Sequence, residues 1–363
     1  LWTTVNGHGL FYTALWEGSR FVNHFEPVLF GLLPLYALVP RAETLLVLQS
    51  VVLGLGALPV YLFCRERLGP AMAVGFAFLY LMSSALHGVN GSDFHASALA
   101  VPLLLSAHYC LSAGRLRAGV AFALVAITCR ENVSLVVFMM GVYWAWRWRR
   151  QDMLSLVHTR TPADRRFLVA IGLSLAALVW FILSVNVVIP YFAGSGVPPT
   201  FERYGNALSN LGADPQGRLL YLVQVFGPLG FLSLLAPGVL LISLPVFAQN
   251  LLSSLPHMYW ITHQNSALLI PWVFVAAIEG MTHVMGSPGV GASGLRHRVL
   301  AVLVVATSLF ALLYSNSPIS VGRRVPVITD HHLVVRQAIE MLPDDAFVFT
   351  QSNLFPHVCH SAR

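Results

Sequence analysis

The chain has 363 residues, 56% of them hydrophobic and only 10% charged, with a mean hydropathy of +0.71. A soluble domain carries about 25% charged residues, so this composition excludes a water-soluble enzyme and points to a chain built mostly of bilayer spans. The formal charge of +6 comes from 21 basic residues, all arginine; they sit in loops between apolar runs, which marks membrane flanks and not a nucleic-acid groove.

Residues 1–42 read as an extracytoplasmic loop. Within it, 27–39 is apolar but only about 20 Å long as a helix, short of the roughly 30 Å of hydrocarbon, which predicts an interfacial helix. Apolar runs of spanning length follow at 43–63, 70–86, 95–113, 167–190, 266–284 and 298–316. Two longer runs are interrupted. The run 118–146 is broken by Arg130-Glu131-Asn132, and 219–250 by Pro228-Leu229-Gly230 and Ala236-Pro237-Gly238. Splitting both predicts a transmembrane domain over 43–316 of about ten spans. Arg65/Arg67, Arg115/Arg117, Arg147/Arg149/Arg150 with Arg160/Arg165/Arg166, and Arg296/Arg298 then share one side, the cytoplasm by the positive-inside rule. Residues 317–363 follow outside; from 326 on, apolar and polar residues alternate around Pro343, Asp344 and Asp345, as at the start of a small αβ domain that the chain cuts off. Cys64, Cys110, Cys129 and Cys359 have no metal or redox spacing and read as packing residues.

Ionisable groups at membrane depth are functional candidates. Arg117 and Arg130 are separated by about 20 Å of helix, so the arms of 118–146 read as a half-length hairpin with Glu131 at the floor of an outward recess. The plainer alternative is an Arg130–Glu131 pair that only ties the hairpin. Asp93-Phe94-His95 opens the span 95–113, where Asp93 is a catalytic candidate or simply an N-cap. Asn23-His24-Phe25-Glu26-Pro27 brings a His and a Glu to the membrane surface, and His263 precedes the span 266–284. The catalytic candidates are therefore Asp93, Glu131 and Glu26, and the substrate-binding candidates His24, His95, Arg130 and His263. All fall on the outer side, and no comparable set of acids and histidines is expected inside. Such a set suits proton transfer or a divalent cation held by carboxylate and imidazole, although no spacing is a metal signature. P-loop, GxGxxG, HExxH and GxSxG motifs are absent.

Several runs carry a resemblance. They are His24-Phe25-Glu26-Pro27, Leu33-Pro34-Leu35-Tyr36, Leu45 to Gln49, Gly56 to Leu62, Arg67-Leu68-Gly69, Asp93-Phe94-His95, Arg130-Glu131-Asn132, Pro228 to Pro237 and Gln351 to His357. Together they resemble, over essentially the whole chain, a bacterial membrane-protein family known only as domain of unknown function twenty-seventy-nine. At 130–132 that family usually has Lys-Glu-Asp, so Arg130 and Asn132 depart from it. The family in turn is similar to glycosyltransferases of the GT-C type, helical bundles with interfacial helices in the first outer loop. That similarity implies a polyprenyl-phosphate-linked sugar donor, an extracytoplasmic acceptor and residence in a bacterial inner membrane among lipids. It places His24-Phe25-Glu26-Pro27 at a His-Pro-Pro-like motif, Asp93 at a second-loop acid and Glu131 at the family's acid, with a further Asp expected just upstream of Leu1. The rival readings are a transporter or lipid-binding membrane protein without catalysis, for which no sequence repeat between halves is evident, and a structural assembly subunit.

Overall fold

The structure is a computed structural model. It describes residues 1–13, 18–154, 163–194, 204, 206–286, 293–315, 317, 319–321, 327–343, 348, 354 and 358. The short helix α1 (Trp2–Val5) leads into a two-residue antiparallel pair, β1 (Tyr12–Thr13) with β2 (Gly18–Ser19). Helices then take over: α2 (Val28–Leu38), α3 (Ala42–Leu55), α4 (Ala57–Leu68), α5 (Pro70–Leu81), α6 (Ser84–Asn90), α7 (Ala96–Ser112), α8 (Leu116–Ile127), α9 (Val133–Leu154) and α10 (Ala163–Leu183). The second half holds α11 (Ile189–Ala193), α12 (Ala207–Ala213), α13 (Pro215–Phe226), α14 (Pro237–Leu240), α15 (Leu244–Leu251), α16 (Ile270–Gly286), α17 (Ser293–Tyr314) and α18 (Asp330–Glu340).

Local chemistry sets the breaks. Gly69, at φ +88°, lets the chain leave α4, and Pro70 starts α5 at the one position where its missing N–H costs nothing. Pro228 and Pro237 interrupt 219–250, which divides into α13, two short 3-10 turns, α14, a third 3-10 turn and α15. Gly230 and Phe231 both take left-handed backbone between those turns.

Four helical runs are long and apolar enough to cross a membrane: Ala42–Leu68, Arg165–Ala193, Gln264–Met285 and His297–Tyr314. A fifth is the pair α5 and α6, bent by 44°. Their burial differs, and the difference locates the core. The Gln264–Met285 run is 83% buried and α7 is buried along most of its length, whereas His297–Tyr314 is 17% buried. An apolar helix wrapped on all sides is the centre of a bundle. The exposed side chains of the outer helices are themselves apolar, among them Val47 and Val51 on α3, Val179 and Ile182 on α10, and Val302 and Val305 on α17. In water that surface would be a large liability; in a bilayer it is the lipid-facing side.

Three expectations need correction. The run 118–146 does break at 130–132, but only α8 is short. The second arm, α9, has 22 residues, about 33 Å of helix, because Arg147 to Leu154 continue it past the apolar run. Asp93 does not cap α7: the N-cap position is His95, with no side-chain cap. The run 43–63 is interrupted at Gly56, between α3 and α4, and continues to Leu68. The segment 27–39 does form a helix, α2, 11 residues long with Pro34 inside it. In the tail the described helix is α18; Asp344, Asp345, Cys359 and the run from Gln351 to His357 lie, apart from Leu354, outside the described residues.

Candidate functional site

The first loop folds back onto the break between α8 and α9. The Val28 amide donates to the Thr128 carbonyl at 3.0 Å, and the Phe25 amide donates to Glu131 Oε2 at 3.1 Å. Aromatic packing drives this docking. Phe21 meets Phe25 and Phe192 edge-on with ring centroids 5.2 and 5.4 Å apart, and Phe25 stacks on Trp180 of α10 at 5.7 Å. The loop's polar groups are thereby carried to the charged break.

There His24 Nδ1 lies 2.8 Å from Glu131 Oε1, and Arg130 contacts the His24 Nε2 edge. A neutral ring that donates Nδ1–H to the carboxylate leaves Nε2 as an acceptor toward the guanidinium, whose Nη2 also lies 3.1 Å from Nδ1. Beside it, Arg20 Nε donates to Glu26 Oε2 at 2.8 Å, with Glu26 only 2% exposed. Two guanidiniums and two carboxylates thus balance, as buried charges must. Burial lowers the His24 imidazole pKa below its usual value, and the Arg130 charge adds to that; Glu131 opposes it without winning. His24 is therefore neutral at pH 7. The Arg20 guanidinium is held charged chiefly by Glu26. His95 also titrates low, through burial first, and it senses Arg130, Arg20 and Glu26. Its amide donates to Gln49 Oε1 at 2.9 Å, and its Nδ1–H donates to the Asp93 carbonyl at 2.6 Å.

A cavity of about 320 Å³ opens onto this cluster. Asn23, His24, Arg130, Glu131 and Asn132 form its polar wall; Phe181, Val185 and Ile189 form much of its apolar one. The α10 backbone loosens into a π-helical turn at Ser184–Val188, beside the cavity, a distortion common where helices build sites. Three buried polar atoms in the wall have no hydrogen-bond partner: Arg130 Nε, Asn23 Oδ1 and Asn132 Oδ1. Arg130 Nε is 3.7 Å from Glu131 Oε1, beyond hydrogen-bond reach. Such orphans are costly, and all three belong to residues that line the cavity.

Of the residues singled out from sequence, His24, Glu26, Arg130, Glu131 and His95 come together. The Asp93 side chain is exposed and is not among the residues lining the cavity. His263 belongs elsewhere: its ring packs with Trp260 and His257, and its Nδ1 lies 3.2 Å from Thr262 Oγ1. Sequence reasoning missed Arg20 and Gln49. Gln49 sits mid-way in an apolar run and is fully buried, and a lone amide in such a run is a usable signal. Among the described residues no group of three or more His, Cys, Asp or Glu side chains is placed to hold a metal ion.

A second charged cluster lies at the far end of α9. Glu279 of α16 takes Arg147 Nη1 at 3.0 Å and Arg67 Nη2 at 3.7 Å. Arg147 also bonds the Tyr143 hydroxyl, and Arg67 lies over the Phe63 ring, 3.5 Å from its centroid. Glu279, a single acid inside an apolar span, was the signal for it.

A bundle of long apolar helices with charge gathered at buried sites near the helix ends defines an α-helical, multi-pass membrane protein. The chain belongs to the family described as Predicted membrane protein (DUF2079), whose profile it matches over residues 1–363. No curated protein and no solved structure matches it.

Proposed function

We propose that this chain is a GT-C-like glycosyltransferase, moving a sugar from a polyprenyl-phosphate donor to an acceptor on the extracytoplasmic side of a bacterial inner membrane. The observation that carries the reading is the 320 Å³ cavity with its orphaned Arg130 Nε, Asn23 Oδ1 and Asn132 Oδ1. A sugar phosphate supplies hydroxyl donors for the two amide oxygens and anionic oxygens for the guanidinium, while the apolar wall suits the first part of a lipid tail. In this reading Arg130 steadies the phosphate leaving group as charge develops on it. His24 and Glu131 hold Arg130 in place, Glu26 does the same through Arg20, and neutral His95 lies beside them. Asp93, exposed two residues before His95, is the base for the acceptor hydroxyl. The shorter apolar helices α7, α8 and Pro237–Leu251, together with α9, add further crossings, and α2 lies in the outer interface.

The test incubates membranes containing the full-length protein with radiolabelled polyprenyl-phosphate sugars. Transfer of label, lost in Asp93→Asn and Arg130→Gln but with donor binding kept in Asp93→Asn, supports the reading. Donor binding without transfer by the unaltered protein replaces it with a lipid-binding role.

A further inference from the structure

We propose a second ligand site, for an anionic phosphate group, at the opposite end of α9 from the His24 cavity. Arg147 lies 14 residues into α9 from Val133, roughly 21 Å along the axis, so the two sites are separated by much of a bilayer's thickness. The second site is a cavity of about 380 Å³ where the end of α4, the turn from α7 to α8, the end of α9 and the start of α10 converge. Its wall is mostly polar, made by Arg67, Trp144, Arg147, Trp148, Gln151 and Arg166.

Charge counting identifies the ligand. Arg67 and Arg147 share one carboxylate, Glu279, and Arg166 is exposed at the rim. The next acid along α4, Glu66, accepts from the Tyr109 hydroxyl at 3.0 Å. Three guanidiniums therefore face a cavity whose flanking carboxylates, among the described side chains, are Glu279 and Glu66, leaving an excess of positive charge in a partly buried place. Arginine forks match phosphate oxygens in pairs, which ammonium groups do not.

The surroundings favour a phosphate carried on a lipid. Trp144 and Trp148 are buried beside the cavity, and Trp146, 52% exposed, is covered by Arg150 with the guanidinium 5.6 Å from the ring centroid. Tryptophan and arginine at one helix end are the signature of the bilayer interface, where basic pockets between helices take phospholipid head groups. The same chemistry would accept free phosphate, and the experiment separates the two sources.

The detergent-purified full-length protein is titrated with a short-chain phosphatidylglycerol, the matching phosphatidylcholine and inorganic phosphate, following tryptophan fluorescence and thermal stability. The anionic lipid is expected to raise the melting temperature and perturb the fluorescence, with phosphatidylcholine much weaker. Arg166→Gln, at an exposed position that folding does not need, is expected to weaken binding about tenfold, and Arg67→Gln at least as much. Phosphate binding with the same variant dependence, and with no advantage for the lipid, assigns the site to a soluble phosphate compound. Saturation that is equal in the unaltered protein and in Arg166→Gln, or no response to any of the three probes, overturns the proposal.

Discussion

At the scale of single residues, Glu131 is the acceptor on which the first loop depends. It takes a hydrogen bond from His24, another from the Phe25 amide, and the charge of Arg130. Glu131→Gln keeps the shape but leaves Arg130 a buried cation without its counter-charge, which costs about 3 kcal/mol. Thermal unfolding in detergent should register it as a clear drop in melting temperature, and an unchanged value would mean that the pair is not buried. His24 predicts a pH dependence. An unfolded histidine titrates near 6.5, and the folded one titrates lower. Above pH 6.5 both states are neutral and the stabilisation is complete. As pH falls through 6.5 the unfolded state takes up a proton that the folded state refuses, so stability declines. His95 is shifted the same way and adds to the slope. Melting temperatures between pH 8 and 5 should fall for the native sequence and fall less for His24→Gln.

At the scale of elements, the closest helix pairing is α9 with α10, and glycine makes it possible. A Cβ at Gly141 of α9 would meet the Ala170 carbonyl at 2.7 Å and the Ser174 amide at 3.0 Å. Both are backbone atoms that cannot swing aside. Gly172 of α10 has open space around it. Gly141→Ala should therefore cost about 1–3 kcal/mol from overpacking, while Gly172→Ala stays within about 1 kcal/mol of neutral. A chemical-denaturation pair would compare them directly. Gly141 also marks the boundary of what the sequence made legible. Apolar runs and breakers located α3 to α5, α7, the break at 130–132 and the divided stretch 219–250, because hydropathy and Pro/Gly chemistry are local. The length of α9 was not legible, since tryptophan and arginine lower its hydropathy while leaving its helicity intact. The partnership of His24 with Glu131 was visible only as a shared side of the membrane. Which side chains meet depends on Phe25 stacking on Trp180, and no spacing encodes that. Arg20 was missed for the same reason: a loop arginine looks like a flank until Glu26 is found buried against it.

At the scale of the whole molecule, α9 carries the His24 site at its start and the arginine cavity at its end, and the proposed orientation has the two opening to opposite faces of the bilayer. Three described cysteines, Cys64, Cys110 and Cys129, are buried, which permits a labelling test once Cys359 is replaced by Ser. Asn6 and Gln151 are both exposed. A membrane-impermeant thiol reagent should modify Asn6→Cys in intact cells, and Gln151→Cys only after permeabilisation. Equal labelling of both before permeabilisation would contradict the proposed orientation.

The bond between His24 and Glu131 joins positions 107 residues apart. Translation proceeds at about 5–20 residues per second, so His24 leaves the ribosome on the order of 5–20 s before its partner. Through that interval Phe25 lacks the Trp180 ring and its amide lacks the Glu131 acceptor, and the intervening helices must already be threaded into the lipid. The site is thus assembled late from an early segment. Chaperoning of the nascent first loop, more than the stability of the finished bundle, would then govern the yield of folded protein.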